Sequence, residues 1–267
     1  MELTVGSESD SSFPSTDGFQ VDWEHPSDPE QGQNFLALLA AIRLHLPDDH
    51  YILTAALPAG RWALQNIDLY RAQDYLDLIN LMAYDFTGSW SAKAGHHAQL
   101  HSASPDEPSG SAAVDYVLST GFPAAKILLG IPTYGRSFLG AAGPGHAYSG
   151  HGGEDETFEY KQLPRQGTEE IVDTRVVAAF CTGGDGGFVT YDNPETVMIK
   201  ANFCREKGLG VSFRNLNAIE TDSPGIVLLD WHSGRRSRSA ELDFCRLQSF
   251  ARLLTIQRLC YIRKGCV

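Results

Sequence analysis

Asp17-Gly18-Phe19-Gln20-Val21-Asp22-Trp23-Glu24-His25-Pro26 is the stretch that decides how this chain reads. Phe19, Val21 and Trp23 alternate with Gln20, Asp22 and Glu24, which is the period of a β-strand. The alternation predicts a strand over Gly18–Trp23, with Gln20, Asp22 and Glu24 on one face and the apolar residues on the other. At a rise of about 3.3 Å per residue, Asp22 and Glu24 lie roughly 6–7 Å apart along that face. Pro26 ends the ladder because it has no N–H to give. Two carboxyls at a strand end form an acid/base arrangement, since each raises the other's cost of ionising. Trp23 points away from the carboxyls and is expected to pack.

The surrounding chain has the composition of a globular α/β protein. It has 267 residues, 42% hydrophobic content and 26 Gly, enough for one large domain or two small ones. A net charge of −12 argues against a surface that binds nucleic-acid phosphates. No apolar run reaches the roughly 20 residues that span a membrane. Residues 1–16 are Ser-rich and aperiodic, with neither the basic nor the apolar region of a signal peptide, and read as an irregular lead-in. The five Cys, at 181, 204, 245, 260 and 266, have no metal-ligand spacing and leave room for one disulfide.

Outward from the first strand, the pattern alternates between periods. A helix is expected over Pro29–Leu46, with Pro29 at its first position and an apolar stripe of Phe35, Leu36, Leu38, Leu39, Ile42 and Leu46. Tyr51–Leu57 reads as a second strand, Ile67–Tyr75 as a weaker helix and Leu78–Tyr84 as a third strand. Asp85–Pro108 is a long loop of the kind that borders functional sites. Ser111–Ser119 reads as a helix stopped by Gly121, and Lys126–Pro132 as a fourth strand. Strands alternating with helices, the strands nearly continuous in apolar residues, argue for a parallel sheet covered by helices. Composition does not separate a closed barrel from an open doubly wound sheet.

The ten-residue stretch resembles the D-G-x-D-x-D-W-E-x-P signature of family-18 glycoside hydrolases, the chitinases. Asp17, Gly18, Asp22, Trp23, Glu24 and Pro26 match, while Gln20 stands where the family usually has a third Asp. Leu81-Met82-Ala83-Tyr84-Asp85 with Gly88-Ser89-Trp90 resembles the family's M-x-Y-D motif at the sixth barrel strand. Lys126 through Phe138 resembles the seventh-strand motif, and Thr190-Tyr191-Asp192-Asn193-Pro194 through Gly210 resembles the approach to the eighth. The resemblance spans residues 17–210 and is nearest to secreted fungal chitinases.

The resemblance implies an incomplete (β/α)8 barrel running from its fourth strand onward, with a small α+β insertion over 138–189 after the seventh strand. A barrel lacking its first three strands exposes apolar edges, so poor stability is expected. It also implies hydrolysis of β-1,4-linked N-acetylglucosamine polymers, with the substrate's own acetamide as nucleophile and retention of configuration. In that scheme Glu24 is the general acid and then base, and Asp22 orients the acetamide N–H. Tyr84 bonds the acetamide oxygen, Met82 lines the sugar subsite, Asp85 contacts sugar hydroxyls, and Tyr134 and Arg136 form the cleft wall. No cofactor is implied. The expected partner is chitin or a chito-oligosaccharide, the chain acting as an extracellular monomer; the alternative is an inactive glycan-binding protein or a non-functional fragment. Gln20 carries no charge to tune Asp22, so a slower enzyme or a changed pH profile is expected.

Other features have simpler readings. His96, His97 and His101 lie in a Gly/Ser-rich loop with no Cys or carboxylate in ligand register, against a metal site. Gly183-Gly184-Asp185-Gly186-Gly187 precedes a strand rather than a helix, and reads as a hairpin turn instead of a phosphate loop. Residues 211–267 are net basic although the whole chain is acidic, hold three of the five Cys, and read as a non-family tail. We read that tail as a retained intron followed by a shifted frame, so Trp231 is not equated with the family's floor Trp; an uninterrupted transcript with no spliced form would overturn this.

Overall fold

A computed structural model describes residues 18–104, 106–214 and 260–262. The lead-in 1–16, Asp17, Trp231, Cys245 and Cys266 lie outside the described residues. In chain order the strands are β1 (Gly18–Val21), β2 (Ile52–Pro58), β3 (Leu78–Met82), β4 (Ile127–Pro132), β5 (Tyr134–Phe138), β6 (Thr157–Glu159), β7 (Glu170–Asp173), β8 (Ala178–Gly183), β9 (Gly187–Tyr191), β10 (Gly210–Arg214) and β11 (Cys260–Ile262). The α-helices are α1 (Pro29–His45), α2 (Arg61–Leu64), α3 (Leu69–Ala72), α4 (Gly110–Ser119) and α5 (Pro194–Lys207).

Six strands form one parallel sheet in the order β10-β4-β3-β2-β1-β11. β10 crosses the position where the tail was expected to begin. Period-2 alternation divides the side chains between two faces. Val21, Leu53, Ala55, Leu57, Ile79, Leu81, Ile127 and Leu129 belong to one buried core with Phe35 and Leu39 of α1, Val114 and Val117 of α4 and Cys204 of α5. The opposite face carries polar residues: Thr54 and Asn80 both donate to the Gln20 side-chain oxygen there.

Local chemistry starts each long helix. Asp28 accepts from the Gln31 backbone N–H at 2.8 Å, and Pro29 needs no partner for the N–H it lacks. Asn193 and Thr196 form a capping box at α5, which ends on Gly208 at φ 74°. Arg43, in the last turn of α1, donates to the carbonyls of Leu46, Tyr51 and Tyr75 and to Asp77, fixing the helix end against the starts of β2 and β3. The single helix expected over Ile67–Tyr75 is a correction. The helix there is shorter, α3 over Leu69–Ala72, begun where the Asp68 side chain accepts from the Arg71 N–H, and the separate α2 precedes it.

A second, antiparallel sheet follows β4 after one residue, Thr133, in the order β6-β5-β9-β8-β7. β8 and β9 meet at Gly183 and Gly187, so the glycine run is a hairpin turn, with Gly183, Gly184 and Gly187 all at positive φ. Cys181 and Cys204 are buried free thiols, and burial pushes the Cys204 thiol up to about 12.

Candidate active site

The segments leaving the C-terminal ends of β1, β2, β3 and β4 carry the chemistry-bearing side chains, the end of a parallel sheet where α/β proteins place their sites. After β1, Asp22 is half-buried and its Oδ1 is buried without a hydrogen-bond partner. Trp23 turns to the other side and packs on the core, its ring 6.2 Å from that of Phe35. Glu24 is exposed. The chain beyond it is tied down, since Asn66 Nδ2 donates to the Pro26 carbonyl at 3.1 Å. The His25 ring meets the Trp62 ring edge-on at 4.3 Å. Burial lowers the proton affinity of His25, opposed in part by the charge of Glu24.

Beyond β3, Met82 is buried and Tyr84 half-buried. The Tyr84 ring occupies the space over Gly130 of β4, where a Cβ would lie 2.9 Å from its Cε1 and 2.7 Å from the Leu81 carbonyl oxygen. Tyr134 meets Tyr84 edge-on with centroids 6.3 Å apart.

Asp85 adopts φ 59°, in the left-handed region that few side chains tolerate. Its Oδ1 accepts from Arg136 Nε at 2.6 Å and lies 3.5 Å from His97 Nδ1. Burial opposes ionisation of Asp85, but the adjacent His97 and the hydrogen bond from Arg136 outweigh it and hold the carboxyl well below the usual carboxylate range. The same carboxylate adds to burial in keeping the Tyr134 hydroxyl protonated far above its ordinary range. Burial works against the Arg136 charge, yet the Asp85 bond keeps it firmly protonated. Arg136 also donates to Glu156 at 3.4 Å and lies over the Trp90 ring, 4.8 Å from its centroid.

The structure therefore joins Tyr84, Asp85, Tyr134 and Arg136 in one cluster, while Asp22 and Glu24 leave β1, with β2 between them and β3. Sequence reading missed His97, Glu156 and Asn80, whose partners lie far along the chain. His96 and His97 are buried rather than in an open loop. His96 Nδ1 bonds Thr190 Oγ1 at 3.1 Å, and burial pushes the imidazole down to about 4. Among the described residues no cluster of His, Cys, Asp and Glu is arranged to hold a metal, and no helix is long and apolar enough to cross a membrane.

Residues 10–213 match the family model "Glycosyl hydrolases family 18". The chain belongs to glycoside hydrolase family 18. Among its relatives, Chitinase 1 of Aphanocladium album is 34% identical over 249 residues, covering 85% of this chain and 58% of the relative. Endochitinase 1 of Metarhizium robertsii is 36% identical over 213 residues, covering 73% and 50%. The chain thus spans between half and three-fifths of these relatives. A family GH18 chitinase from Cycas revoluta, solved in complex with allosamidin, superposes with a TM-score of 0.68 at 31% identity, covering 76% of this chain and 64% of that one. The family-18 match includes the stretch with Asp22 and Glu24 and the Met82–Asp85 segment.

Proposed function

We propose that this chain carries the acid and substrate-orienting groups of a chitinase, which cleaves β-1,4-linked N-acetylglucosamine polymers. The observation that carries this reading is the pairing of an exposed Glu24 with Asp22, whose inner oxygen is buried without a partner, at the C-terminal end of one strand. A buried acceptor left unpaired is costly unless a ligand donor satisfies it. An acetamide N–H is such a donor.

In this mechanism Glu24 gives its proton to the bridging oxygen as the C1–O bond breaks. The substrate's acetamide oxygen attacks C1 and forms an oxazolinium ion. Asp22 accepts from the acetamide N–H and balances the positive charge, while the Tyr84 hydroxyl bonds the acetamide oxygen. Water then attacks C1, Glu24 takes back a proton, and the acetamide re-forms with retained configuration. Met82 lines the sugar subsite. Asp85, kept ionised by Arg136 and His97, accepts from sugar hydroxyls, and Tyr134 with Arg136 forms the wall. Gln20 takes no proton in this cycle.

We read residues 17–210 as part of a catalytic (β/α)8 barrel from its fourth strand, 138–189 as the insertion and 211–267 as a non-family tail, the protein working outside the cell as a monomer. Likeness to family-18 chitinases supports the barrel part of this reading. The function is tested with E24Q and a chitobiose carrying a chromogenic leaving group. Turnover should fall by about 10²–10⁴-fold while chito-oligosaccharide binding persists. Undiminished release by E24Q, or no release by the wild-type chain, overturns the reading.

A further inference from the structure

Trp62 has a placement that the reading above does not use. It lies in α2, just past the C-terminal end of β2, and 58% of its surface is exposed. Large aromatic side chains are costly to leave in water when they could pack. Here the indole is nonetheless held in place. It folds over Gly60, where a Cβ would come within 2.1 Å of Nε1, so any side chain at position 60 would displace it. Its edge-on contact with His25 at 4.3 Å sets it beside the residue that follows Glu24. Asn66 Nδ2 donates to both the Trp62 carbonyl at 3.4 Å and the Pro26 carbonyl at 3.1 Å, clamping the two segments together. The neighbouring Arg61 turns away, its guanidinium 5.4 Å from the Tyr116 ring. The result is a rigid, open aromatic surface at the same sheet end as the acid.

We propose that Trp62 is a stacking platform for an outer sugar of the bound polymer, on the Glu24 side of the reacting pair. This rests on the chitinase reading and adds to it a residue that senses substrate length. A pyranose presents axial C–H groups to an aromatic face, and a fixed ring loses little conformational freedom on binding. A dimer held at the reacting centre does not reach the platform, whereas a hexamer does.

The test uses the full chain carrying E24Q, so that sugars bind without being cut, and compares it by calorimetry with E24Q/W62A and E24Q/W62F. Hexamer affinity should fall about tenfold in E24Q/W62A, with dimer affinity changed less than about twofold and W62F in between. Because Trp62 is exposed, thermal midpoints should stay together. Equal losses for dimer and hexamer, or no loss for either, overturn the proposal. Absence of binding by either oligomer to E24Q overturns both it and the substrate reading. A split between hexamer and dimer in a chain whose wild type hydrolyses nothing supports the platform and overturns the hydrolase.

Discussion

Asn80 Nδ2 donates to Gln20 Oε1 at 2.7 Å, joining β3 to β1 across the width of β2. Thr54 Oγ1 of β2 donates to the same oxygen at 3.2 Å. Position 20 is thus an acceptor for two neutral donors, a setting that suits a carboxylate as well as an amide.

Q20E keeps the length of the side chain and both bonds while adding a negative charge two residues from Asp22. Its stability should stay within about 1 kcal/mol of wild type. The added charge raises the cost of ionising the carboxyls beside it, so the basic limb of the kcat/KM profile should move upward by about 0.5–1 pH unit. An unchanged profile would show that position 20 has no electrostatic hold on the reaction.

His96 makes the fold acid-sensitive. Its imidazole is held down to about 4 in the folded chain against 6.5 as the ordinary value, chiefly by burial. Above pH 6.5 both states are neutral; between 6.5 and 4 only the unfolded chain takes up the proton, so stability falls as pH falls. The full loss is on the order of 3 kcal/mol. Denaturant midpoints between pH 7 and 4 should drop more steeply for wild type than for H96Q.

Lys200 and Asp192 form a buried pair, with Lys200 Nζ donating to Asp192 Oδ2 and to the Ala98 carbonyl, both at 2.5 Å. K200M strands a carboxylate away from water and should cost about 3–5 kcal/mol. The double variant D192N/K200M should recover most of that in urea unfolding; equal losses in both would remove the charge explanation.

Gly130 leaves room for the Tyr84 ring, so G130A should cost about 1–3 kcal/mol by overpacking and push the ring aside. Turnover should fall further than in a surface Gly→Ala control. Intact turnover would show that Tyr84 need not sit where it does.

Much of the sheet could be read from the residues themselves. The strands expected at Gly18–Trp23, Tyr51–Leu57, Leu78–Tyr84 and Lys126–Pro132 are the four that pair side by side, because period and apolar content are local properties. The expected ends ran long where the strand gives way to the site, as at Val21 and Met82, since alternation continues past the last ladder bond. Helix α1 was legible from Pro29 and its stripe. The partners of Asp85 were not. His97 and Arg136 lie 12 and 51 residues along the chain, and nothing in a short window signals such a meeting. The same holds for Gln20 with Asn80, and for the histidines that read as loop residues but are buried.

The left-handed backbone at Asp85 has a consequence for anyone seeking a hardier variant. Glycine is the residue that position would accept with least strain, so D85G relaxes the main chain. It also removes the anchor for Arg136 and leaves His97 facing empty space. At this position relief of backbone strain and the sugar contact proposed for Asp85 pull in opposite directions, which makes tolerance to heat and turnover competing targets at a single codon.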